Sequence, residues 1–96
     1  CIIYPDDTAL LGGLNVIHEA GLKIPQDISI AGYDGLRVSR YVSPQLTTVH
    51  QDTDRIGSEA AAQLISQIES NGAYEKKHLI INTQLVTGAS VGNCKN

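Results

Sequence analysis

The chain has 96 residues, 42% of them hydrophobic and 18% charged, with a formal net charge of −3 at pH 7. At roughly 100 to 200 residues per domain that length holds one small domain, and seven scattered Lys and Arg against ten acids exclude a segment that grips nucleic acid by neutralising its phosphates. Trp, Phe and Met are absent and the four aromatic side chains are all Tyr, so the core is built from Ile, Leu, Val and Ala, without stacking platforms for single-stranded nucleic acid.

Ile2-Ile3-Tyr4 is a short apolar run stopped by Pro5, and Asp6, Asp7 and Thr8 behind it are candidate caps, so a strand hands over to a helix. Leu10, Leu14 and Ile17, widened by Leu11 and Val16, recur at helical spacing. Gly21-Leu22 after Glu19-Ala20 has the form of a glycine stop with an apolar residue folding back, and Pro25 prevents continuation. The run from Asp27 through Ile28 and Ile30 to Gly32-Tyr33-Asp34 predicts a buried parallel strand. Residues 35–48 turn polar around Pro44, a long loop of the kind that carries function, and Leu46-Thr47-Thr48-Val49 offers another short extended piece.

Asp52, Thr53 and Asp54 open a second helix with acids that suit its dipole. Its apolar face is Ile56, Ala60, Leu64 and Ile68, and Asn71-Gly72 ends it. Leu79-Ile80-Ile81 begins a final extended segment, continued by residues 84–87, before a tail of Gly, Ser and Asn that is expected to fray through Cys94-Lys95-Asn96. Strand, helix, strand, loop, helix, strand is the grammar of an open α/β sheet, mostly parallel, with helices flanking it.

Cys1 and Cys94 stand at opposite ends, too sparse for a stapled secreted scaffold, and read as free thiols. His18, His50 and His78 are far apart in sequence, with no ligand spacing among them, so no metal site is expected. No apolar run approaches the ~20 residues that span a bilayer and no leader opens the chain, so the expectation is a soluble chain without a membrane partner. A strand beginning directly after Cys1 predicts that a segment precedes it in the native protein.

In open α/β sheets, ligands sit beyond the carboxyl ends of the parallel strands. Asp6 follows the first strand and Asp34 ends the second, so neighbouring strands would bring both carboxylates to one crevice. An ionised carboxylate only accepts hydrogen bonds and can take two donors, which suits adjacent sugar hydroxyls or a ribose diol. The structural alternatives are that Asp6 or Asp7 caps the first helix and that Asp34 starts a turn. A magnesium-dependent phosphoryl-transfer site built from Asp6, Asp7 and Asp34 is the enzymatic alternative, and it fits poorly. The acids are adjacent where a DxD pattern is needed, no lysine ends a late strand, and no GxSxG elbow is present. Neither an enzyme nor a cofactor is expected.

Four stretches resemble the LacI/GalR family of transcriptional regulators. Residues 5–12, PDDTALLG, resemble that family's ND-x-x-A-x-G segment, and residues 19–30, EAGLKIPQDISI, resemble its EAGLRVPEDVSV. Residues 31–34, AGYD, resemble GFDD, and residues 40–51, RYVSPQLTTVHQ, resemble RYLSPPLTTVRQ. The resemblance runs in family order from residue 2 to about 70 and more weakly into the last strand.

It implies a partial periplasmic-binding-protein-like open sheet, the C-terminal portion of a two-lobed effector-binding core, without the amino-terminal helix-turn-helix headpiece. A small effector, a sugar or related polyol or nucleoside, would bind between the lobes of a cytoplasmic homodimer or higher oligomer, and operator DNA would be met only through that headpiece. Carried over residue by residue, Asp34 is the effector-binding acid, with Asp6 and Gln51 as further ligand contacts. Asp6 stands where the family usually has Asn, and Gly35 where it commonly has a second acid. Leu10, Gly13, Val16 and Tyr41 match surfaces that pair subunits, with intrachain core as the alternative for Leu10 and Val16. The chain would cross between lobes at His50, Gln51 and Asp52 and return from Lys77 to Ile80, so that residues 52–78 belong to the other lobe. A periplasmic sugar-binding protein of a transport system shares the fold, but the loop from Tyr41 to Val49 is more similar to the regulators. Without its other lobe the second helix would bare Ile56, Leu64 and Ile68, which predicts that it folds back on its own sheet or pairs with another copy.

Overall fold

The structure is a computed structural model that describes residues 1–94. Its four strands form one sheet in the order β1-β2-β3-β4. β1 (Ile2–Ile3), β2 (Ile30–Asp34) and β3 (Thr47–His50) run parallel, and β4 (Gln84–Val86) pairs antiparallel with β3. The register places Ala31 beside Thr47 and Asp34 beside His50, while His50 faces Gln84 on its other side. This is the mostly parallel α/β sheet expected, with one antiparallel edge.

α1 (Asp7–Glu19) connects β1 to β2. Asp6 caps it, its carboxylate accepting from the Ala9 N–H at 2.7 Å, which satisfies one of the amides a helix start leaves unpaired. At the other end Gly21 N donates to His18 O at 2.9 Å and Leu22 N to Ile17 O at 3.2 Å. Gly21 there has φ +72°, the left-handed stop that glycine adopts without a Cβ penalty. The helical stripe packs as its spacing predicts: Leu10, Leu14 and Ile17 are buried with Ile30 of β2 and Leu46 in one cluster. Each such side chain gains about 1.5–3 kcal/mol from leaving water.

β2 starts at Ile30 and not at Asp27, because the preceding residues close a turn. Asp27 N donates to Lys23 O at 2.7 Å and the Asp27 carboxylate accepts from Lys23 N at 2.7 Å. The long loop after β2 contains a short 3-10 helix, Arg37–Arg40. The tail departs most from expectation. Ser90 is fully buried; its hydroxyl donates to Ile30 O at 2.7 Å and accepts from Thr47 N at 2.8 Å. Ala89 N reaches Gln45 O at 2.7 Å and Gly92 N reaches the Ser29 hydroxyl at 3.0 Å, so residues 88–92 are tied to the sheet. Lys95 and Asn96, the end of the segment expected to fray, lie outside the described residues.

The chain divides into two compact units, Cys1–Gln51 with the segment from Gln84 onward, and Asp52–Thr83. The second unit contains α2 (Thr53–Glu69), capped by the Asp52 carboxylate accepting from Arg55 N at 3.0 Å. Residues 79–81 form no strand. An open groove of about 730 Å³ runs between α2 and residues 74–81, lined by Ile56, Leu64, Tyr74, Leu79 and Ile81 among others. Within this unit the apolar stripe of α2 is only partly covered: Ile56, Leu64 and Ile68 are 41, 57 and 69% exposed.

Candidate functional site

The parallel strands β1, β2 and β3 present their carboxyl ends along one edge of the sheet, and the chemistry gathers there. Asp34 is the last residue of β2 and has φ +99°, a backbone conformation that side chains other than glycine rarely adopt. The turn behind it makes this possible. Gly35 follows at φ +71°, its N–H donating to the Thr48 hydroxyl at 3.2 Å, and Gln51 N donates to Asp34 O at 3.1 Å.

The Asp34 side chain is half-buried. Its Oδ1 accepts from the Gln51 side-chain amide at 2.6 Å, a bond strengthened by the carboxylate's charge. No hydrogen bond to its Oδ2 forms among the described residues, so that oxygen is open to accept from a ligand hydroxyl. Asp34 and Gln51, two of the three residues expected to contact ligand, are therefore joined directly. Asp6 stands at the end of β1 with one oxygen committed to the Ala9 amide, the capping role considered for it.

Asp7 has a different environment from the exposed cap that its position in the sequence suggests. It is fully buried, accepting from Leu36 N at 2.8 Å and from the Thr48 hydroxyl at 2.8 Å. With Asp6 capping and Asp7 turned into the fold, the three acids do not converge on a cation. Among the described residues no three His, Cys, Asp or Glu side chains gather as a metal ion requires.

Gly35 stands where the resemblance has a second acid, at a position that leaves little room for a side chain. A Cβ at that position would lie 2.6 Å from the His50 Cα. His50 itself is paired within β3 between Asp34 and Gln84, and Asp52 caps α2. Lys77 is exposed and lies inside the second compact unit, whose far end is Thr83. The second unit ends at Thr83, and β4 begins at Gln84.

Of the expected subunit-pairing residues, Val16 and Tyr41 are 65 and 81% exposed. Gly13 is half-buried with the Tyr4 phenol against it. Leu10 is corrected to intrachain core: it is fully buried in the cluster beneath α1 and offers no surface to a partner.

A family model described as a periplasmic binding protein-like domain matches residues 1–91. The chain belongs to that family. Within this periplasmic binding protein-like family its resemblance to the LacI-family regulators holds. It is 45% identical over 76 residues to an HTH-type transcriptional repressor PurR of Histophilus somni (strain 129Pt), a match covering 79% of this chain and 22% of the repressor. A LacI family transcriptional regulator from Enterococcus faecium with bound ribose superposes at a TM-score of 0.92 with 28% identity, covering 97% of this chain and 34% of that one. A LacI family regulator from Enterococcus faecalis V583, also with bound ribose, gives 0.90 with 34% identity over 94% of this chain and 33% of that one. The chain thus spans about a fifth of the curated relative's length and a third of the solved ones. Among the described residues no helix is long and apolar enough to cross a membrane.

Proposed function

We propose that this chain is the effector-sensing and subunit-pairing portion of a sugar-responsive transcriptional regulator, and that it binds its ligand without transforming it. The observation that carries the reading is Asp34, held at the carboxyl edge of the sheet by Gln51 with one carboxylate oxygen unengaged. A polyol presents hydroxyl donors, and an anchored acceptor-only group matches them. The ribose bound to the two Enterococcus regulators supports a pentose or similar polyhydroxylated effector.

Asp34 and Gln51 form the ligand contact, with Asp6 contributing its remaining carboxylate oxygen. Gln51 is also the last residue before the second compact unit begins at Asp52. The passages at residues 51–52 and 83–84 serve as hinges between lobes, and residues 52–83 belong to the lobe that the rest of the protein completes, which covers the apolar stripe of α2. A ligand shifts such an equilibrium only by its differential affinity for the two lobe arrangements. Val16, Gly13 and Tyr41 pair two subunits, and DNA is met through a headpiece elsewhere in a cytoplasmic full-length protein.

The test is DNA binding by the full-length protein. Fragments selected by it from a random-sequence pool are retitrated in the presence of ribose, hexoses, disaccharides and nucleosides. A change in DNA affinity with one of these classes supports the reading, and selection of no DNA sequence contradicts it.

A further inference from the structure

The least expected group near the edge is Asp7. A carboxylate with no exposed surface is costly unless its oxygens are satisfied, and here both are, by neutral donors. Oδ2 accepts from Leu36 N and Oδ1 from the Thr48 hydroxyl, each at 2.8 Å. Capping does not explain this burial, because Asp6 already caps α1.

What the partners share is their place. Thr48 passes the contact on: while its hydroxyl donates to Asp7, its oxygen accepts from Gly35 N at 3.2 Å. The two amides directly after Asp34, those of Gly35 and Leu36, are thus both held from Asp7, one through Thr48 and one directly. Two residues before Asp34 the strand is shaped for the same group, since a Cβ on Gly32 would collide with the Asp7 carboxylate. Asp34 between them carries φ +99°, and a conformation so rarely populated persists only where the surroundings over-determine it.

We infer that Asp7 is the positioning residue of the effector site. Through Leu36 and Thr48 it fixes the turn that aims the Asp34 carboxylate, without touching ligand itself. This rests on the reading of Asp34 as the effector-binding acid. Asn at position 7 keeps the shape but supplies one acceptor oxygen where two are used. With that oxygen on the Leu36 amide, the Thr48 hydroxyl can no longer donate to residue 7 and must turn to accept from its NH2, disturbing the relay to Gly35. Val at position 48 keeps the volume and removes the relay, whereas Ser retains it.

The experiment compares the full-length protein with its Asp7→Asn, Thr48→Val, Thr48→Ser, Asp34→Ala and Leu14→Ala variants, the last a core control. Amide hydrogen exchange is read at Gly35, Leu36 and Gln51, and ribose binding is read by calorimetry. Expected are exchange about tenfold faster at these three amides in Asp7→Asn and Thr48→Val, a ribose Kd about tenfold weaker in both, and recovery of both readouts in Thr48→Ser. Leu14→Ala lowers the melting temperature without selective exchange at the turn. Unchanged exchange at the three amides in Asp7→Asn, or a uniform rise like that of Leu14→Ala, overturns the proposal. If ribose does not bind the parent, or binds Asp34→Ala as tightly, it is the effector reading that fails, and exchange alone decides the role of Asp7.

Discussion

The Gln51 side-chain amide donates to the Asp34 carboxylate at 2.6 Å, joining the residue that ends β2 to the residue that leaves β3 for the second compact unit. An acid proposed to meet ligand is therefore bonded to the first passage between units. Substituting Gln51 acts on that bond in two distinguishable ways. Gln51→Ala removes a donor to a charged, half-buried acceptor and is expected to lower stability by about 1 kcal/mol. Gln51→Glu sets a second negative charge against Asp34 and is expected to cost more, with the difference shrinking at high salt. Urea midpoints of the two variants in low and high salt check this ordering.

Gly35→Ala and Gly35→Asp are both expected to destabilise, although the second restores the acid common in the LacI/GalR family. The position has φ +71° and a Cβ there lies 2.6 Å from the His50 Cα, so the penalty comes from the backbone and not from the functional group. A loss of more than about 1 kcal/mol is expected for each. Equal thermal shifts for the two variants would locate the cost at Cβ.

How much of this was legible in the sequence differs residue by residue. Leu10, Leu14 and Ile17 announce their buried face because helical period is set by local geometry, and Gly21 announces its stop for the same reason. Asp34 was legible from its place at the end of an apolar strand. The burial of Asp7 was not, since an acid in a helix's first turn looks the same whether it faces water or the fold; its partners Leu36 and Thr48 lie 29 and 41 residues away. Ser90 was hidden likewise, because a serine among Gly and Asn carries no local sign that a hydroxyl bridges two strands 43 and 60 residues distant. Residues 79–81 were misplaced as a strand because an apolar run satisfies a strand pattern without finding a strand to pair with.

Ser90→Ala tests the docking of the tail. The change leaves Thr47 N and Ile30 O without the partner they share, and each buried group left unsatisfied costs about 1–3 kcal/mol. A drop in melting temperature larger than that of Ser70→Ala is expected, since the Ser70 hydroxyl bonds in an exposed position to Gln67 O.

Leu10 and Val16 separate core from surface on the same helix. Leu10→Ala is expected to cost about 2–5 kcal/mol, as truncations in packed cores do, and to reduce the yield of folded protein. Val16→Asp is expected to leave the fold within about 0.5 kcal/mol of the parent while weakening subunit pairing. Sedimentation velocity of the full-length Val16→Asp variant, run across a concentration series, reads that loss directly.

The most direct test of the central claim is a thermal-shift titration of the full-length protein and its Asp34→Ala variant against pentoses, hexoses, disaccharides and nucleosides. Binding to the folded state raises the melting temperature with ligand concentration. The account predicts that at least one class does so in the parent and that Asp34→Ala abolishes the shift while remaining folded. A shift that survives in Asp34→Ala, or no shift with any class, would contradict it and leave Asp34 as a turn residue at the end of a strand.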